Sequence, residues 1–321
     1  MINTKEFISI ENLTKTFHTN AGDVQAVNDV SFSLRKGSIV GLVGESGSGK
    51  TTLGRCILRL IEPSSGSINL EGANLLKLNS SQLRVIRRRM QIIFQDPFPS
   101  LNPRLRVEDI IAEGIKVHDK EISKKERLIR VAELMEEVGL QAEQMSRYPH
   151  EFSGGQRQRV GIARALAVNP EFIVADESVS ALDVSVQAQI LNLMLSLRDK
   201  HNLTILFIAH DLSVVEYLCD EVVVLYLGKI VESGDAAELY ANPQHPYTRA
   251  LLSAVPVPDP RANIDREILK GDMPSPLSPP SGCVFQSRCK YADAKCLETM
   301  PPTVSFNERH SAACLKLGEL K

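Results

Sequence analysis

Gly44-Glu45-Ser46-Gly47-Ser48-Gly49-Lys50-Thr51 decides how this chain is read. The stretch fits G-x-x-x-x-G-K-[ST], a spacing with a physical purpose. Glycines let the backbone wrap closely around an anion, so that successive N–H groups point inward. Lys50 is then placed to reach the β- and γ-phosphates of a nucleotide, and Thr51 to offer its hydroxyl to Mg²⁺. A helix N-terminus behind them adds positive potential. The flanks agree. Ile39-Val40-Gly41-Leu42-Val43 is an apolar run of strand length, and Thr52 to Ile61 predicts a helix. A Gly/Ser-rich turn matching by accident would not carry both. The loop predicts nucleotide binding, and other residues must say what the nucleotide is for.

Upstream, residues 7 to about 40 alternate apolar and polar side chains in short runs and end at the turn Lys36-Gly37. They predict a small antiparallel sheet. Phe17, at the end of its first strand, reads from pattern alone as an ordinary packing residue. Downstream, Ser67–Leu70 predicts a short strand, and Arg84, Arg87, Arg88 and Arg89 lie on a polar helix whose charges read as a solvated face. Met90–Phe94 predicts a core strand ending in Gln95-Asp96-Pro97. Prolines 97, 99 and 103 mark a loop, and Lys120–Val138 follows as a charged helix with Leu128, Val131, Met135 and Val138 on one face. This resembles a helical insertion in an α/β domain.

Two later stretches carry chemistry. Ser153-Gly154-Gly155-Gln156 stands where Ser153 can cap a helix running to Ala167 and leave its end open to an anion. By itself it could be a capped turn. Phe172–Asp176 is a buried strand ending in two acids, Asp176 and Glu177. Such a strand end is where an α/β fold puts a Mg²⁺ ligand opposite a phosphate loop. Asp176 suits the ligand, and Glu177 suits a base polarising an attacking water. Gln187–Lys200 is amphipathic, and Thr204–Ala209 predicts another buried strand, with His210 placed to contact a γ-phosphate. Val222–Leu227 and Gly228–Gly234 predict a hairpin.

Composition narrows the setting. The chain has 321 residues, 43% hydrophobic and 24% charged, enough for a sizeable core and an appendage. A formal net charge of −2 gives no bulk argument for nucleic acid. The start lacks the apolar core of a signal peptide, and the longest apolar runs are too short to span a bilayer. A role at a membrane would run through partners.

Together these stretches resemble the ATP-binding cassette (ABC) ATPase, over roughly residues 7–240. The motifs come in the family's order: Walker A (Gly44–Thr51), Q-loop (Gln95), signature (Ser153–Gln156), Walker B (Phe172–Asp176) with Glu177, D-loop (Ser180-Ala181-Leu182-Asp183) and switch histidine (His210). The resemblance implies an α/β cassette with a mainly parallel core sheet, an N-terminal antiparallel β subdomain and a helical insertion at about 97–168. It implies that Phe17 stacks on adenine and that Gly44 to Thr52 hold the phosphates. Thr51, Gln95 and Asp176 would serve Mg²⁺. Glu177 and His210 would be catalytic, and Ser153, Gly154, Gly155, Gln156 and Asp183 would meet the nucleotide of a second cassette packed head to tail. Ser178 follows Glu177 where relatives commonly carry proline, which slightly loosens the loop.

Beyond residue 240 the chain departs from the cassette. Asn242 to Leu252 leads into Pro256–Pro280, whose seven prolines predict an extended linker. Four of the six cysteines then follow: Cys283, Cys289, Cys296 and Cys314, separated by 5, 6 and 17 residues. That is neither a paired zinc pattern nor a ferredoxin run, and spacing leaves a metal centre level with unligated buried thiols. Cys56 and Cys219 read as core residues.

The tail, residues 241–321, resembles the C-terminal region of oligopeptide/dipeptide importer ATPases. That branch includes nickel and glutathione importers, and some members carry a [4Fe-4S] cluster on such cysteines. The resemblance implies a cluster at Cys283, Cys289, Cys296 and Cys314, with zinc as the alternative. It also implies an ATPase at the cytoplasmic face of the cell membrane, paired with a second related ATPase, two transmembrane permeases and, indirectly, a substrate-binding protein. A heterodimer is the expected pairing. Rival readings are a soluble ABC ATPase of DNA repair or translation, and a GTPase or small-molecule kinase. The former lacks support in a long coiled coil or tandem cassette, the latter in an Asn-Lys-x-Asp motif.

Overall fold

A computed structural model describes residues 6–255, 269 and 271–319. In chain order its strands are β1 (Glu6–Thr19), β2 (Gly22–Arg35), β3 (Ile39–Val43), β4 (Ser65–Leu70), β5 (Ala73–Asn74) and β6 (Met90–Ile93). Then come β7 (Phe172–Asp176), β8 (Thr204–Ala209), β9 (Glu221–Tyr226), β10 (Lys229–Asp235), β11 (Val304–Ser305) and β12 (Ser311–Ala312). The chain forms two compact units. One joins the described residues up to Leu76 with those from Phe207 onward, and the other runs from Lys77 to Leu206. The boundary falls inside β8.

The first unit contains the expected antiparallel sheet, in the order β2-β1-β4-β5. Ile8 faces Leu34, Ile10 faces Phe32 and Leu13 faces Val30 across β1 and β2. Ile8, Ile10, Leu13, Val30, Leu34, Ile68 and Leu70 are all buried, so the sheet has one apolar face. A second sheet in this unit has the order β11-β12-β10-β9-β3. β9 runs parallel to β3 and antiparallel to β10. Leu227 and Gly228, with φ of 47° and 78°, turn the β9–β10 hairpin; two successive positive φ values match the strands' right-handed twist. All five residues of β3 are buried, as its continuous apolar run requires. The helix Lys50–Ile57 follows it directly, through the loop at Gly44–Gly49.

In the second unit β6 and β7 are parallel, and all of β7 is buried. The mainly parallel core is thus present as the β3–β9 and β6–β7 pairs. The charged helix appears as Lys124–Glu137, started by a capping box between Ser123 and Glu126. A further helix, Val107–His118, follows the proline-marked loop within the expected helical insertion, and buries Val107, Ile110, Ile111 and Ile115. The arginine-rich helix, Ser80–Arg89, is not simply solvated. Arg88 meets Asp119 at 2.7 Å, and Arg89 meets Glu171 at 2.5 Å. Most of the expected proline-rich linker lies outside the described residues.

Candidate nucleotide site

The loop Gly44–Thr51 has a geometry only glycine permits at two points. Gly44 and Gly49 adopt φ of 148° and 105°, and a Cβ there would stand 2.2 Å from the Leu225 carbonyl oxygen and 2.1 Å from that of Ala26. The loop therefore packs closely against β9 and β2. Ser48 is fully buried, and its hydroxyl has no hydrogen-bond partner among the described residues. Lys50 is 4% exposed, and its ammonium donates to the carbonyls of Gly44 and Glu45 at 2.8 and 2.9 Å. A buried ammonium must be so partnered. Thr51 and Thr52 open the helix, whose first turn holds no acid to oppose an anion. A cradle with no room for side chains, an unmatched buried hydroxyl and a lysine folded over it fit a phosphate chain.

Glu45 is held from beyond the loop. Its N–H donates to the Tyr247 hydroxyl at 2.8 Å, and its carboxylate takes a 2.7 Å bond from Arg288. Neither partner was expected. Tyr247 stood in a stretch with no motif, and Arg288 beside a cysteine that drew attention to itself. Phe17 is half-buried near the end of β1, with the Lys15 ammonium 4.8 Å from its ring centroid. His210 is exposed just past β8.

The other predicted residues belong to the second unit. Asp176 closes β7 and is 2% exposed. Glu177 follows with φ of 45°, a left-handed conformation uncommon for a side-chain-bearing residue. The structure brings Gln95 to it: the Gln95 amide donates to Glu177 Oε2 at 2.7 Å across 82 residues of sequence. Ser178 is buried, and its hydroxyl has no partner among the described residues.

The Ser153–Gln156 stretch forms a full capping box on the helix Gly154–Leu166. Gln156 N–H donates to Ser153 Oγ at 3.3 Å, and Ser153 N–H to Gln156 Oε1 at 3.0 Å. Gly155 is also tightly packed, since a Cβ there would come 2.4 Å from Val186. Asp183 caps the next helix, Val184–His201, by accepting from Val186 N–H at 3.0 Å, and that bond holds its carboxyl below the usual range. Asp183 therefore has a structural task independent of any partner.

The expected iron–sulfur or zinc centre at the four C-terminal cysteines finds no support in the structure. Among the described residues no three or more His, Cys, Asp or Glu side chains are grouped to hold a metal ion. Burial pushes the Cys283 thiol up to about 11 and raises those of Cys289 and Cys314 as well. Hydrogen bonds knit the segment: Cys283 N–H donates to the Cys296 carbonyl at 2.9 Å, and Lys316 N–H to Cys314 Sγ at 3.3 Å. Cys56 and Cys219 are buried core residues, with the Cys56 thiol pushed up to about 11 by burial. Among the described residues no helix is long and apolar enough to cross a membrane.

Residues 27–180 match the ABC transporter family model, and residues 231–296 match the oligopeptide/dipeptide transporter C-terminal region. A putative peptide import ATP-binding protein of Brucella ovis is 53% identical over 96% of this chain and 97% of its own length. The oligopeptide transport ATP-binding protein OppF of Haemophilus influenzae is 49% identical over 96% and 93%. The dimeric post-hydrolysis structure of the cassette MJ0796 with ADP and Pi is 29% identical. It covers 71% of this chain and 98% of that one, at a TM-score of 0.66. None of these likenesses supports the expected pairing of two different ATPases.

Proposed function

The chain belongs to the ABC transporter ATPases of the oligopeptide/dipeptide class, and from that premise we propose that it powers a peptide importer. The observation that carries the reading is the intact phosphate cradle at Gly44–Thr51 with Lys50 folded into it. The C-terminal match and two relatives named for peptide or oligopeptide transport support the solute class.

In this reading the loop from Gly44 to Thr52 receives the phosphates through the Lys50 ammonium and backbone N–H groups other than that of Glu45, with Phe17 stacked on adenine. Thr51, Gln95 and Asp176 would hold Mg²⁺, which would supply positive charge against the phosphates. Glu177 polarises the attacking water and His210 keeps it in line. Because Gln95 already bonds to Glu177, a shift of that glutamine changes both the metal site and the base. Ser153–Gln156 and Asp183 serve the nucleotide of a second cassette, so each site needs two subunits. Closure of the pair drives two permeases, with this subunit held peripherally at the cytoplasmic face of the membrane. Peptide is the favoured cargo; nickel and glutathione are the alternatives within the class.

Affinity purification from native membranes tests this. The tagged protein should recover two integral membrane subunits, and cells with an inactive copy should lose uptake of a labelled oligopeptide. Recovery of no membrane subunit, with full ATP turnover in isolation, overturns the importer reading in favour of a soluble ATPase. Loss of nickel or glutathione uptake instead reassigns the cargo.

A further inference from the structure

Glu45, the second residue of the phosphate loop, is fixed at every polar group by the first unit. Lys50 holds its carbonyl, Tyr247 its N–H, and Arg288 its carboxylate. Tyr247 and Arg288 lie more than two hundred residues along the chain. The Arg288 side chain is only 7% exposed against 30% for Glu45, so this is a built contact and not a surface coincidence. Its support is rigid. Tyr226, Tyr247 and Phe285 are fully buried and meet with ring centroids 4.7 to 5.4 Å apart. Phe285 opens the short turn Gln286–Arg288, so the aromatic cluster sets where Arg288 points. Met273 adds a further contact, since a Cβ on Gly47 would come 3.3 Å from its methyl group.

We propose that Arg288 is a positioning residue for the nucleotide loop, clamping and neutralising Glu45 so that the C-terminal segment completes the phosphate site. The proposal rests on the nucleotide reading above. A loop that receives the negative charges of a nucleotide carries a carboxylate one residue from its first glycine. Unpaired, that carboxylate repels the phosphates and swings freely at the cradle's rim. Paired to a sequestered guanidinium it does neither, because the 2.7 Å charge-assisted bond offsets its charge and holds it in one orientation. Tyr247 meanwhile occupies the Glu45 N–H, which leaves the phosphates to the N–H groups from Ser46 onward.

Nucleotide affinity of variants in the full chain tests this. Arg288→Ala should raise the Kd for Mg·ATP about tenfold, the effect of leaving one charge of a close pair uncompensated at a half-exposed site. Glu45→Gln combined with Arg288→Ala should recover most of that loss, because the repelling carboxylate is gone. A purely structural arginine would give no such recovery. Wild-type affinity in Arg288→Ala, or a double variant as weak as the single one, overturns the proposal. Amide exchange in the unaltered protein gives a second readout that needs no variant to fold. Mg·ATP should slow exchange in residues 283–289 as well as in 44–51. Protection of the loop alone overturns the role of Arg288, whereas protection of neither brings down the nucleotide reading with it.

Discussion

The hydrogen bond from Gln95 to Glu177 shows what single residues disclose and what they withhold. The sequence marks Glu177 as a candidate base, because it follows an apolar strand in an α/β chain. It does not mark the partner, because 82 residues separate the two and only the fold joins them. The same holds for Glu45, which reads as an arbitrary filler within its motif until Arg288 and Tyr247 are seen against it. The cysteines run the other way: four thiols crowded in sequence suggest a metal, and the structure shows no metal-holding group of side chains among the described residues. Glu177→Gln keeps an acceptor for Gln95 while removing the base. Phosphate release should fall about 10²-fold or more, with ATP binding retained. Unchanged turnover would take Glu177 out of its role.

Elements were legible where local chemistry sets them. The Ser153–Gln156 capping box needs four residues, and the helix begins where the sequence puts it. The helix Val107–His118 falls within the expected helical insertion but was not singled out there, although Val107, Ile110, Ile111 and Ile115 are helically spaced and Glu108 and Asp109 suit its first turn. Gly155 carries a requirement that no local rule reveals, its contact with Val186 on the following helix. Helix propensity alone would make Gly155→Ala stabilising by about 1 kcal/mol. A Cβ 2.4 Å from Val186 reverses the sign, since overpacking costs about 1–3 kcal/mol. Urea unfolding should show Gly155→Ala less stable than wild type, and Val186→Ala in the same chain should relieve most of the loss. If Gly155→Ala alone is stabilising, the contact does not constrain the helix start.

At the scale of the whole molecule, the tail that composition sets apart as an appendage belongs to the same compact unit as the phosphate loop. Glu232, fully buried on β10, explains how it is fastened. It accepts the N–H groups of Gln244 and His245 at 2.7 and 2.8 Å, and His310 Nε2 lies 2.8 Å from it. Glu232→Ala leaves those groups buried and unmatched, and should cost about 3–5 kcal/mol in urea unfolding. A loss below about 1 kcal/mol would show that the tail is fastened elsewhere. Charge and composition could not show this, because the contacts are long-range. The order of synthesis gives the arrangement a further meaning. The loop emerges from the ribosome early, but Arg288 follows Leu76 by roughly 10 to 40 s at ordinary elongation rates. A nascent or truncated chain thus has a phosphate loop without its clamp, and tight nucleotide binding awaits an almost finished translation product.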